Sequence, residues 1–508
     1  MNNSSVSVVK NYIYNLAYQV VTLLIPILMI PYTSRILQPE GLGLYSFTFS
    51  ITTYFSYIAL LGVHLYGTKK IAISRKDSSA MEKNFWEIFL MKAIMSFISI
   101  AVFLVTIIFL EHKQIYLILG ICLIANMFDI TWFFTGNENF KMIFIRNIVI
   151  KILTVLCILL FVKSKNDLGI YVLIFSLGEL FSQLIMWISV IKTDLTKNLP
   201  NIFRELNPFS HFKGLLALFI PQAVILLYTS LNITMLGLMS TNIEVGYFDV
   251  VNRIINTILV LVSALSSVLI PRISILIDSN RKDLVENVLE KSIQMVTYLA
   301  YPMSIGVMII SKVFVPWYLG SMFGETVLLL SLYSIKIVLV TMSNVIGMQF
   351  LIPAGRNKEF IYSVSIGALV TLLLNIFLIQ NIGALGAVIG SLIGELTVTF
   401  IQVFITKRDI KFIKFVYQTR VSFISSVFMG LVVYSSIYFF SDRITSFINK
   451  YLSLNISSGI NIMFLILIGG FSYITINFIL RNRAQFEIVK NIKRIILNLN
   501  KKRGDTIL

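Results

Sequence analysis

Long apolar stretches alternate with short polar connections along almost the whole chain, down to about residue 480. In hydrocarbon every backbone N–H and C=O must be satisfied inside its own segment, so a spanning helix needs about 20 consecutive, mostly apolar residues. Fourteen stretches meet that length, near 11–36, 42–66, 85–110, 115–136, 140–162, 168–191, 213–239, 245–271, 291–316, 326–351, 359–380, 383–406, 418–440 and 457–480. The pattern predicts an all-α polytopic membrane protein of about 14 transmembrane helices. The first stretch follows polar residues up to Asn11 and carries no small-residue cleavage site, so it reads as a first span and not as a removable signal.

Composition agrees: 57% of residues are hydrophobic, 13% are charged and the mean hydropathy is +0.86, too little polar surface to cover a soluble protein. The net charge of +18 would point to nucleic acid in a soluble chain, but here the cations flank the apolar stretches. Thirty of the 42 Lys and Arg fall in connections of one parity, from Lys10 through the basic run Lys407 to Arg420 to eight in the C-terminal tail. Seven fall in the other parity: Arg35, Lys113, Lys163, Lys165, Lys312, Arg443 and Lys450. A missed or invented span would scatter basic residues to both sides, so the bias places both termini in the cytoplasm. Beyond the last span, Val489, Ile492, Ile496 and Leu499 recur at helical spacing among Lys490, Lys493 and Arg494, which fits either a helix on an anionic inner leaflet or a solvated basic tail.

The chain also repeats itself. Gly178-Glu179-Leu180 in segment six and Gly394-Glu395-Leu396 in segment twelve lie 216 residues apart at equivalent depth. Asn126, Gly136 and Phe140 echo Asn344, Gly355 and Phe360, and Tyr32-Thr33-Ser34 echoes Tyr228-Thr229-Ser230. The repeat is parallel and six helices long. It divides the chain into a six-helix bundle at 1–205, a second at 206–410, two further helices at 411–482 and a basic tail at 483–508. Transporters built on repeats commonly bind substrate between the halves.

The five remaining cations lie inside spans, Lys92, Arg146, Lys151, Arg253 and Lys336, with the carboxylates Asp129, Glu179, Asp249 and Glu395. A charge near mid-bilayer costs about 2.5–3.5 kcal/mol on insertion scales, so such residues pair or face a polar interior. Lys92 and Arg146 lie close enough to the inner helix end for snorkelling to be an alternative. Lys151 is deeper and is neutralised by Glu179 on the next helix or serves transport. Asp249 and Arg253, four residues apart, fit a local pair that still favours a hydrated cavity. Lys336 has no local partner, while Glu179, Glu395 and Asp129 fit either lumen carboxylates or interhelical acceptors.

Other chemistry is sparse. Cys122 and Cys157 sit in apolar stretches and read as packing residues. His64, His112 and His211 are scattered, so no metal site is expected, and without a phosphate-binding glycine loop neither ATP hydrolysis nor a cofactor is expected. Gly386, Gly390 and Gly394 read as a close helix-packing face, and Pro26, Pro31 and Pro221 as kinks or hinges in segments one and seven.

"IPYTSRILQPEGLGLYSFTFSI" from Ile30 to Ile51, with "VGYFDVVNRI" from Val245 to Ile254, resembles the Wzx-type polysaccharide repeat-unit flippases of the multidrug/oligosaccharidyl-lipid/polysaccharide superfamily. The resemblance spans essentially the whole chain. It implies two pseudo-symmetric six-helix bundles around a central cavity, in a bacterial cytoplasmic membrane. It implies a secondary transporter, not an enzyme, that carries undecaprenyl-diphosphate-linked oligosaccharide from the inner to the outer leaflet for capsule, O-antigen or exopolysaccharide synthesis. Membrane lipids and the polymerase and chain-length regulator of the same pathway are the partners it implies; nucleic acid is not among them.

By position in the motifs, Arg35 and Arg253 are expected to hold the diphosphate. Arg146, Lys151, Lys336 and Lys92 join them on the charge argument alone. Asp129, Glu179, Asp249 and Glu395 are candidates to exchange a coupling H⁺ or Na⁺. A lipid II flippase and a cation-coupled multidrug antiporter of the same superfamily are the nearest alternatives, though an antiporter for cationic drugs would want acidic cavity residues. A glycosyltransferase or ligase would need long outer loops, and every outer connection here is short. A non-transporting scramblase or scaffold is the remaining alternative.

Overall fold

Hydrocarbon leaves the backbone no hydrogen-bond partner but itself, and in the computed structural model the described residues form helices and turns without a strand. The structure describes residues 2–191, 206–267, 269–279, 281–449, 454–487 and 489–490, with side chains outside 2–24, 221, 227–228, 264–267 and 440–456. The expected tail helix beyond 490 and the basic connection at 192–205 lie outside the described residues.

The helices are α1 (Asn2–Leu60), α2 (Val63–Ser74), α3 (Ser78–Ile108), α4 (Lys113–Phe128), α5 (Thr131–Gly136), α6 (Phe140–Phe161), α7 (Leu168–Ile191), α8 (Phe212–Met239), α9 (Asn242–Ser267), α10 (Ile270–Asp278), α11 (Lys282–Tyr318), α12 (Thr326–Tyr333), α13 (Ile335–Ile346), α14 (Asn357–Thr406), α15 (Phe412–Gln418), α16 (Arg420–Asn449) and α17 (Leu454–Ile479). Twelve helical stretches among the described residues are long and apolar enough to cross a membrane, against the fourteen expected. Two of them, Ile25–Ser74 and Asn357–Thr406, run for 50 residues. That is about 75 Å of straight helix against a hydrocarbon core of about 30 Å. Both are broken, at Gln38 (φ 58°, ψ 175°) ahead of Pro39 and at Ile382 and Gly383 (φ 52°, ψ −130°). Gln38 falls in the gap expected between segments one and two, and the second break spans the junction of segments eleven and twelve. Pro26 and Pro31 sit within α1 without a break in its helical geometry.

The chain divides into two compact units, Met1–Asp249 and Val250–Leu508. That division lies inside α9, beyond the 205/206 boundary drawn from the repeat. The physical reason is the grip of α8 and the start of α9 on α1. Ser50 and Tyr54 both hydrogen-bond Thr234, at 3.1 and 2.9 Å, and a Cβ on Gly237 would lie 1.9 Å from the Phe47 ring. Unit 1 contains an aromatic core in which Phe85 stacks on Trp132 at 5.5 Å and meets Phe133 edge-on at 5.0 Å.

In unit 2 the two arms of α14 meet along the glycine stripe. A Cβ on Gly390 would lie 2.2 Å from Asn375 Oδ1, and one on Gly394 would lie 1.9 Å from Thr371 Oγ1. The stripe is the close-packing face read from its four-residue spacing, since only a residue without a side chain lets these backbones approach.

Candidate transport site

Five of the expected charges converge within unit 1. Lys92 on α3 is fully buried, and its ammonium donates to the Asp129 carbonyl. That carbonyl is available because α4 ends at Asp129, whose backbone is extended, and α5 begins two residues later. The Asp129 carboxylate accepts the Thr131 N–H at 2.8 Å and so holds the break together. Lys92 therefore neither snorkels nor lines open space in this conformation, which departs from both readings of its position. Arg146 is 6% exposed and braces three segments. It donates to Asn147 Oδ1 at 2.7 Å, to Gln183 Oε1 at 3.1 Å and, with longer contacts, to the Ser182 carbonyl and Thr131 Oγ1.

Lys151 and Glu179 differ from these. Lys151 on α6 is half-buried and interacts electrostatically with Glu179 on α7, which also feels Arg146 and Asp129. Glu179 is exposed, yet it does not sit on the stripe that lipid would cover. At 100° per residue the exposed apolar residues Leu173, Phe181, Leu184, Ile188 and Ile191 share one side of α7. Glu179 points the other way, in line with the buried Val172, Met186 and Val190. Glu179 is thus a solvent-reachable carboxylate on the side of α7 turned away from its exposed apolar residues, with buried residues above and below it.

Unit 2 holds a second cluster. Lys336 donates to the Tyr333 hydroxyl at 2.9 Å and lies 4.9 Å from its ring centroid. Tyr333 also meets Ser391 Oγ at 3.2 Å and Asn252 Oδ1 at 3.4 Å, and Glu395, one turn from Ser391, acts electrostatically on Lys336. Lys336 thus does find partners, three residues away and on α14. Arg253 is partly exposed on α9, beside Asn252 and the exposed Asn256. Asp249, Asn252, Arg253 and Asn256 fall on one side of that helix, a polar stripe along an otherwise apolar span. Arg35 is exposed near the end of the first segment, three residues ahead of the Gln38 break.

The two sequence motifs meet in unit 1. A Cβ on Gly43 would lie 1.6 Å from the Asn242 carbonyl oxygen, and one on Gly246 would lie 2.0 Å from the Pro39 carbonyl oxygen. Each glycine thus admits the backbone of the other motif. One turn on, Ser46 donates to Asp249 Oδ2 at 2.7 Å, and Asp249 is 4% exposed.

One polar group escaped sequence reasoning. His211, on the 3₁₀ turn before α8, meets Glu87 Oε2 through Nε2 at 2.8 Å and the Tyr66 hydroxyl through Nδ1 at 2.9 Å, while the Asn207 N–H donates to Glu87 Oε1 at 2.9 Å. A carboxylate offers acceptors, so His211 faces Glu87 with its Nε2–H, and the Tyr66 hydroxyl and Nδ1 share the second hydrogen bond. The group ties the entry of α8 to α2 and α3. No cluster of three or more His, Cys, Asp or Glu suited to a metal occurs among the described residues.

Residues 8–277 match the family model described as "Polysaccharide biosynthesis protein". The chain belongs to that family. It is 26% identical over 419 residues to the "Putative O-antigen transporter" of Escherichia coli (strain K12), across 80% of this chain and 99% of that protein. A protein of the same description from Shigella dysenteriae is 24% identical over 381 residues, across 74% of this chain and 94% of its own length. Among solved structures, the fold matches lipid II flippase MurJ in an inward closed conformation, with a TM-score of 0.66 at 15% identity, covering 93% of this chain and 98% of that one. It also matches an inward-facing multidrug resistance MATE family transporter of the MOP superfamily, with a TM-score of 0.57 at 14% identity, covering 76% and 97%. The polysaccharide family member is therefore a multi-pass membrane protein with a transporter fold, related to transporters and not to enzymes.

Proposed function

We propose that this protein is a flippase that moves an oligosaccharide repeat unit, carried on undecaprenyl diphosphate, from the inner to the outer leaflet of a bacterial cytoplasmic membrane, with both termini in the cytoplasm. The observation that carries this reading is the polar charge set into apolar spans: Glu179 with Lys151 in unit 1, turned away from the exposed apolar stripe of α7, and the solvent-reachable stripe of Asn252, Arg253 and Asn256 in unit 2. A diphosphate cannot enter hydrocarbon unaided, and a guanidinium offers a fork of donors that matches phosphate oxygens and stays charged at any relevant pH. Arg35 and Arg253, both exposed or partly so, hold the diphosphate in this scheme, with Lys151 and Lys336 close to the path. Lys92 and Arg146 keep the broken fourth segment and its neighbours in place. A few dispersed cations hold an anion reversibly, as transport requires.

Directionality comes from an ion gradient in this reading, and Glu179 is the carboxylate best placed to exchange H⁺ or Na⁺. Asp129 is occupied by a helix break, Asp249 by Ser46, and Glu395 is 6% exposed. The Gly43–Asn242 and Gly246–Pro39 contacts close one side and part in the opposite-facing state. The same pathway's polymerase and chain-length regulator receive the product.

Interior cations favour an anionic cargo over the cationic drugs of an antiporter. The test is complementation of a strain lacking its repeat-unit flippase by the parent, Arg35→Ala and Arg253→Ala. Export restored by the parent and much reduced in both variants supports the reading. Equal export from all three removes the cationic path, and rescue of a strain lacking its lipid II flippase in its place moves the protein to that branch.

A further inference from the structure

Three segments of unit 2 converge on a cavity of about 490 Å³ lined by none of the residues assigned above to transport: α10, the first turns of α11 and the chain following α17. Its lining is divided by chemistry. Arg272, Lys291 and Lys490 supply three cations, and Leu276, Leu284 and Val288 supply an aliphatic wall. Lys291 is paired with Glu487 at 3.0 Å, which fastens the C-terminal segment to α11. Arg272 and Lys490 have no carboxylate partner among the described residues, so the cavity carries a surplus of positive charge.

The apolar side continues outward. Ile275, one turn from Arg272, is 66% exposed, and Leu284 and Val489 are 41% and 54% exposed. Arg272, Ile275 and Leu276 share a face of α10, and Leu284, Val288, Lys291 and Met295 share a face of α11. The two faces place cations beside aliphatic side chains, as at the boundary between headgroups and acyl chains. Among the described residues no aromatic ring lines the cavity on which a sugar would stack.

We propose that this cavity is a binding site for an anionic phospholipid of the inner leaflet. Its phosphodiester sits among Arg272, Lys291 and Lys490, and its acyl stems lie along Leu276, Leu284 and Val288. Basic pockets beside spanning helices on the cytoplasmic side are suited to such headgroups. The ligand's negative charge offsets the local surplus and locks α10 and the C-terminal segment together. The proposal rests on the cytoplasmic assignment of these connections, and not on which substrate is transported.

The test uses the purified full chain in maltoside micelles, titrated with phosphatidylglycerol or phosphatidylcholine and followed by native mass spectrometry and thermal unfolding. The variants are Lys490→Gln, the double variant Arg272→Gln/Lys490→Gln, and a control in unit 1, Lys76→Gln/Lys83→Gln, at exposed lysines that do not line the cavity. All leave the Lys291–Glu487 pair in place. Phosphatidylglycerol should bind and stabilise the parent and the control. Each lost cation should weaken binding about fivefold, so about 25-fold for the double variant. Equal affinity of all variants for phosphatidylglycerol, or equal binding of phosphatidylcholine by the parent, overturns the site. Displacement of phosphatidylglycerol by millimolar inorganic phosphate reassigns it to a free anion and overturns the lipid. Labelling of a Lys490→Cys variant by an impermeant maleimide from outside intact cells overturns the leaflet. None of these readouts depends on transport, so failure of the flippase reading leaves them interpretable.

Discussion

Placing a methyl group on Gly43 tests the contact between the two motifs. The added Cβ would fall 1.6 Å from the Asn242 carbonyl oxygen and 2.7 Å from the Gly246 nitrogen. Carbon–oxygen contacts in proteins settle near about 3.3–3.6 Å, so the two backbones must part by about 1.7–2 Å. No flexible side chain can absorb that shift, because the obstructing atoms are backbone. Overpacking of this kind costs about 1–3 kcal/mol, a factor of about 5–150 in the balance between two conformations. Gly43→Ala, and for the same reason Gly246→Ala, should therefore shift the protein toward the state in which the motifs are apart.

Glu40 and Thr241 are exposed beside the contact and suit spin labels, placed as cysteines in a background lacking Cys122 and Cys157. Double electron–electron resonance should show a short, narrow distance in the parent and a longer, broader one in Gly43→Ala, with export reduced although the protein still reaches the membrane. Unchanged distances together with parental export would refute the idea that this approach is a closed gate.

Further outcomes follow from Glu179 and from the Tyr66–His211–Glu87 group. Under the proposed ion coupling, Glu179→Gln removes the carboxylate assigned to exchange H⁺ or Na⁺, and gradient-driven uptake of substrate into vesicles should fall at least tenfold while substrate binding persists; parental gradient response would assign coupling elsewhere. Glu87→Ala leaves the buried His211 without its acceptor, at about 1–3 kcal/mol, and also removes the acceptor of the Asn207 N–H. The unfolding midpoint should fall and proteolysis of the chain before α8 should accelerate, whereas an unchanged midpoint would show that the Tyr66–His211–Glu87 group does not hold the entry of α8.

The membrane-spanning helices were legible in the alternation of apolar stretches, and the glycine stripe of α14 in its spacing, because both are properties of a single helix. Lys151 and Glu179 could be matched across neighbouring helices, since spans that start at known ends fix the depth of each residue. Lys92 could not be read this way. Its depth fits snorkelling, and only the break at Asp129 supplies a carbonyl deep enough to hold it. Glu87 and His211 lie 124 residues apart and meet through a short turn that has no periodicity to read. Gly43 and Gly246 stand in motifs that indicate the family, but a backbone approaching a backbone leaves no side-chain pattern to announce it.

Reconstitution tests the flippase assignment most directly. Proteoliposomes containing the purified protein would be loaded with a fluorescent undecaprenyl-diphosphate oligosaccharide, and the fraction reaching a membrane-impermeant quencher would be followed with and without an ion gradient. The parent should deliver the labelled lipid to the opposite leaflet faster than protein-free vesicles, and Arg35→Ala and Arg253→Ala should slow it at least tenfold. Exposure to the quencher at the protein-free rate, or parental rates from both arginine variants, would contradict it.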